Sequence, residues 1–141
     1  MKKSSTDLMK EMKSIKDYES YRKANAESFS YMKLDRALMA KIEEKKLTRS
    51  SVIRRAGIAP SYGYQILDGK RSNPDIDKVL MLCIGIGLSL EETQDILKVT
   101  GYPMLRASNE REHFIIFAIT NKMKIIDINL ELQKLNLKIL E

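Results

Sequence analysis

Along nearly the whole chain apolar residues recur at spacings of three and four, the period of helices buried on one face. Alternating β-branched runs joined by hairpin dipeptides are missing, so the pattern predicts an all-α fold. Leu8, Met12, Ile15 and Tyr18 form an apolar stripe among charges, which predicts an amphipathic helix over about residues 5–23, interrupted over residues 25–30. Leu34, Leu38 and Ile42 face inward on a second helix over about residues 31–45. Asn73, Pro74, Asp75 and Asp77 combine a cap, a first-turn proline and acids at a helix start. The near-continuous apolar run from Val79 to Leu88 behind them is too short to cross a bilayer, which takes roughly 20 residues. It is therefore expected at the centre of the bundle, ending at Gly85 and Gly87. Ser89 and Glu92 form a capping-box pattern before a short helix carrying Leu90, Ile96 and Leu97. After the break at residues 100–103, one helix is expected from Asn109, burying Phe114, Ile115, Phe117 and Ala118. Another is expected from a cap at Asp127, carrying Ile128, Leu130, Leu132 and Leu135.

Between Leu47 and Pro74 the punctuation is denser. Thr48 caps a helix over residues 49–56, Gly57 supplies the left-handed position that ends it, and Pro60 suits the first turn of the next, which Gly69 stops. Leu47, Val52, Ile53, Ile58 and Ile66 would knit the two short helices onto a common core, leaving Ser61, Tyr62 and Gln65 outside. Tyr64 is expected to point inward and Tyr62 outward. The arrangement is a helix-turn-helix candidate.

Charge is concentrated on the same segment. From Arg49 to Pro74 the cations Arg49, Arg54, Arg55, Lys70 and Arg71 stand against Asp68 alone, a local +4 in a chain whose net charge is +6. Clustered cations gain affinity for a line of phosphates by releasing condensed counterions, so such binding is salt-sensitive.

These residues resemble the Cro and lambda-repressor type of helix-turn-helix regulators, often called XRE-like. The likeness is one of spacing: Leu47 and Thr48 open the first helix, Val52 takes its apolar site, Gly57 the turn, Ile66 the core site of the recognition helix, Gly69 the exit, and Lys70 with Arg71 the basic pair behind it. It covers about residues 34–90 well and is faint beyond Leu105. Membership implies a sequence-specific DNA-binding transcriptional regulator with a recognition helix over about residues 60–67 in the major groove, working as a homodimer on double-stranded DNA. Arg49 stands where that family often has a glutamine braced against phosphate, and Gly63 where an apolar residue is expected. Pro60 replaces a polar base-reading residue and removes a backbone donor, so base reading shifts to Ser61, Tyr62 and Gln65. Arg49, Lys70 and Arg71 would anchor phosphates while Arg54 or Arg55 adds steering; Asp68 would repel phosphate if it faced the duplex.

Enzyme chemistry finds little support. His113 is the only histidine, and Cys83, the only cysteine, sits in the apolar run as a reduced core residue; no metal site or cofactor is expected. Glu43/Glu44 and Glu91/Glu92 splay apart on helices, and no phosphate-binding loop of the GxxxxGK(S/T) type occurs. A lone cysteine and a charged N-terminus without an apolar stretch suggest a reducing cytoplasm and no membrane role. The expected organisation is an N-terminal helical extension over residues 1–30, a helix-turn-helix domain over 31–105 and a C-terminal helical pair over 106–141. The pair either completes the core or buries its apolar face in a symmetry mate. The N-terminal helix reads as a surface helix, or as a dimerisation or partner-docking one. The competing function is a protein-interaction adaptor that keeps the fold without reading DNA. A third reading has the arginines serving solubility alone.

Overall fold

The computed structural model describes residues 3–12, 17–24 and 30–141 and, among them, contains helices and no strands. The helices are α1 (Ser5–Met12), α2 (Tyr18–Ala24), α3 (Leu34–Glu44), α4 (Arg49–Ala56), α5 (Pro60–Leu67), α6 (Ile76–Ile86), α7 (Leu90–Val99), α8 (Glu110–Thr120) and α9 (Ile125–Lys134). They fall into two compact units, Met1–Tyr31 and Met32–Glu141. No helix among the described residues is long and apolar enough to cross a membrane.

In the first unit the single helix expected over residues 5–23 is two. The Asp17 carboxylate accepts from the Ser20 backbone N–H at 3.3 Å and the Ser20 hydroxyl at 2.7 Å, so it caps a new start and ends any continuity. The expected stripe is displaced accordingly: Met12 and Tyr18 are exposed, while Tyr21 is buried and donates its hydroxyl to Glu11 at 3.0 Å. Ile15 and residues 25–29 lie outside the described residues.

The second unit is built around α6. That helix is apolar on almost every side, and Val79, Leu80, Met81, Leu82, Cys83 and Ile86 are all buried. Leu34, Leu38 and Ile42 of α3 pack inward as their spacing predicts. α4 lies along α6, and α5 packs on α3 and α4. Gly85 is internal to α6 instead of ending it. A Cβ there would meet the Val52 carbonyl oxygen at 2.6 Å and the Ala56 nitrogen at 3.0 Å, so the missing side chain is what lets α4 and α6 approach so closely. The helix ends at Gly87. Its start also differs from expectation. Asp75, not Asn73, is the cap, accepting from the Lys78 N–H, while Pro74 stays in the connection with its carbonyl held by the Tyr102 hydroxyl.

α7 opens with the expected capping box, Ser89 and Glu92 exchanging bonds at 3.1 and 3.0 Å. Glu92 also meets Lys41 of α3 at 3.1 Å. The Ser89 N–H, and then Lys41 and Lys45, hold its carboxyl down to about 2 from 4.5. α8 starts at the Asn109 cap as its sequence predicts, whereas α9 starts at Ile125, placing Asp127 within its first turn. Both C-terminal helices join the core of the second unit through Ile115, Ala118, Ile128 and Leu132. Phe117, expected inside, is exposed, as are Leu130 and Leu135, because the one-sided spacings 115/118/119 and 125/128/132 turn them outward. Asp77, buried in the first turn of α6, receives Arg111 of α8 at 2.8 and 3.2 Å. Arg111 also donates to the carbonyls of Lys138 and Ile139, and Asn129 brackets Leu140 through two bonds, so the C-terminal segment is fastened along its length. Cys83 is fully buried, which pushes its thiol up to about 12 and leaves it an inert core residue.

Candidate nucleic-acid interface

α4 and α5 are each eight residues long and are separated by three residues, and their ends follow from local chemistry. The Thr48 hydroxyl accepts from the Ser51 N–H at 3.2 Å. Gly57, at φ 72°, occupies the left-handed region that a side chain disfavours, and so turns the chain out of α4. Pro60 then occupies the first turn of α5, where its missing N–H breaks no helical bond. On α5, Gly63, Ile66 and Leu67 are buried, and a Cβ on Gly63 would come within 2.9 Å of the Ile53 side chain. The small residue thus replaces the expected apolar one by bringing α5 down onto α4.

The opposite side of α5 carries Ser61, Tyr62 and Gln65, which share one face by their helical spacing. Ser61 is exposed and the other two are half-buried. Arg71, returning after the Gly69 turn, folds back over this face. Its Nε donates to Gln65 Oε1 at 2.7 Å, its backbone N–H donates to the Gln65 carbonyl at 3.0 Å, and its guanidinium lies 4.7 Å from the centre of the Tyr62 ring. The Gln65 carboxamide oxygen is thereby engaged, which leaves the amide hydrogens as the group's remaining means of reading a partner. Lys78, on the first turn of α6, approaches the same ring at 5.5 Å. Sequence reading missed Lys78, since nothing local in the chain announces that the start of α6 comes beside α5. Tyr102 secures the connection between them, donating to the Pro74 carbonyl; burial and then the nearby Asp75 raise its phenol above the ordinary value of 10.0.

The expected inward Tyr64 and outward Tyr62 are not distinguished, because both are half-buried against the core. Each is covered by an arginine instead, Arg49 standing 5.2 Å from the Tyr64 ring. Arg49 also forms an ion pair with Asp68 across the ends of α4 and α5. Asp68 is therefore neutralised locally, and an exposed pair of this kind is worth about 0–1 kcal/mol, small enough to be exchanged for a phosphate. Lys70 is exposed beside Arg71. Arg54 lines a shallow depression with Pro60 and Tyr64 and also, together with Arg55, a separate cleft at the C-terminal end of α4. Of the sequence-derived site residues, the fold gathers Ser61, Tyr62, Gln65 and Arg71 into one cluster, places Arg49 and Lys70 near the C-terminal end of α5, sets Arg55 apart and leaves Arg54 between the two regions. Comparison with protein-family models finds no match to the chain, and comparisons with curated proteins and with solved structures find none either.

Proposed function

We propose that the protein is a sequence-specific double-stranded DNA-binding regulator whose α4 and α5 act as a lambda-repressor-like helix-turn-helix. In this reading α5 enters the major groove, where Ser61, Tyr62 and the Gln65 amide face base edges, and Arg71, Lys70 and Arg49 meet phosphates near its C-terminal end. The observation that carries the reading is the bracing of Gln65 and Tyr62 by Arg71 on the exposed side of a short helix. An arginine that stacks on one reading residue and bonds another fixes both before any ligand arrives, which lowers the ordering cost of binding. Lys78 adds a further phosphate contact in the same reading. A homodimer on a two-fold site is the natural form of such a regulator, and the exposed Phe117 and Leu130 supply apolar surface for it.

The adaptor reading draws on a different fact: Arg49 and Arg71 already have partners within the chain. The two readings separate in one assay. Fluorescence anisotropy at physiological salt, comparing a duplex enriched from a random pool with its scrambled counterpart, should show at least tenfold preference for the enriched site. Equal binding to both, together with capture of a defined protein partner by the unmodified chain, would give the adaptor precedence.

A further inference from the structure

At the far end of α4 a cleft of about 530 Å³ opens between the C-terminal ends of α4 and α6 and the corner joining α8 to α9. Its floor is aliphatic: the half-buried Ile84 and Met123 and the exposed Ile126 supply the accessible surface, over the buried Leu88, Ile119 and Ile125. Its wall carries the cations Arg54, Arg55, Lys122 and Lys124, and among the described residues no acidic side chain lines it. Lys122 donates to the Gly87 carbonyl at 3.0 Å and so holds the corner against the end of α6. Arg54, Arg55 and Lys124 form no ion pair among the described residues. Lys124 is also the N-cap of α9, whose first turn has no side-chain cap, so its N–H groups add positive potential on the same side.

The geometry points to a binding site for a small amphipathic carboxylate, an anionic head on an aliphatic body. A simple inorganic anion would satisfy the cations and leave the floor wet. A neutral hydrocarbon would dry the floor and leave the cations without a counter-charge. Only a ligand with both parts answers the whole lining, and the volume lies in the range of small-molecule sites, about 300–1,000 Å³. The anionic head sits among Arg54, Arg55 and Lys124, and the aliphatic body lies along Ile84, Met123 and Ile126, above the buried Ile119 and Ile125. This assignment is independent of DNA binding.

The test is isothermal titration calorimetry of the full chain with decanoate below its micellar concentration, with decanol and inorganic phosphate as the two half-ligands. Methyl chemical shifts of Ile119 and Ile125 locate the site. Decanoate should bind with a stoichiometry of one and shift both isoleucines, while decanol and phosphate each bind at least about tenfold more weakly, the loss of roughly one charged or apolar contact set. Lys124→Asp and Lys124→Ser give α9 the cap it lacks, so neither should lower the melting temperature. Both should weaken decanoate, Asp by about fivefold or more and Ser by less, as expected for a charge reversed against a charge removed. Equal affinity for decanoate and decanol, equal affinity for decanoate and phosphate, unchanged decanoate binding in both folded variants, or shifts at Leu130 without shifts at Ile119 would each overturn the assignment.

Discussion

The two cationic regions of the second unit differ in what their charges already touch. Around α5, Arg49 is committed to Asp68 and Arg71 to Gln65 and Tyr62. In the cleft at the other end of α4, Lys122 alone is tied among the described residues, and it is tied to a backbone carbonyl. Braced cations have fixed positions and suit a ligand that must be read in register. Loose ones above an aliphatic floor suit a ligand recognised by charge and apolar fit. Charge density alone, which is all a sequence supplies, does not separate these roles.

Both regions rest on the packing of α4 against α6. Gly85→Ala should destabilise the protein by about 1–3 kcal/mol, because the new methyl meets backbone atoms of α4 that cannot rotate away. Chemical denaturation would measure it, and a loss below about 0.5 kcal/mol would mean that α4 and α6 lie further apart than described. The next effect is confined to α5. Arg71→Gln should weaken duplex binding about tenfold, close to 1.4 kcal/mol, and flatten the dependence of log affinity on log salt by roughly one phosphate. It should leave decanoate binding in the cleft as it was. Comparable losses at both sites would show that the two regions are not separate.

A smaller effect concerns pH. Glu92 is held down to about 2 in the folded protein against 4.5 ordinarily. An unfolded chain takes up this proton as the pH drops through 4.5 while the folded one resists until about 2, so the stability it supplies is complete above 4.5 and is lost between those values. Glu92→Gln should therefore reduce stability at neutral pH and flatten its decline between pH 4.5 and 2. An unchanged acid profile would show that the Ser89 and Lys41 contacts do not persist in solution. The smallest effect is expected at Asp68. Removing its charge with Asp68→Asn releases Arg49 and should raise affinity for any duplex by about two- to fivefold, with stability altered by less than about 1 kcal/mol. Weaker binding would mean that Asp68 is needed to position Arg49.

Much of the helical framework was readable from local chemistry. Thr48, Gly57, Pro60, Ser89 and Asn109 each act within a few residues of themselves, so their caps and turns appear where the sequence predicts. The failures are long-range. Asp75 displaced Asn73 as the cap once Tyr102, far along the chain, held Pro74 in the connection. Gly85 looked like a helix end because a glycine needed for close packing and one needed for a turn are the same letter. Phe117 reads as inside on apolarity alone, although Ile115, Ala118 and Ile119 already fill the inner face. For the candidate interface, shared helical spacing put Ser61, Tyr62 and Gln65 together. The clamp by Arg71, the pairing of Arg49 with Asp68, and the approach of Lys78 depend on how loops return, which spacing does not encode.

We propose that the exposed face of α5 reads DNA sequence. The direct measurement is selection from a random duplex pool, run in parallel with the unmodified protein and with the variant carrying Ser61→Ala and Gln65→Ala, both first shown to fold. A single enriched motif for the unmodified protein, most tellingly a palindrome, with preference relaxed at defined positions in the variant, is the predicted result. No enriched motif, or one motif recovered with the same base preferences by both proteins, would contradict it.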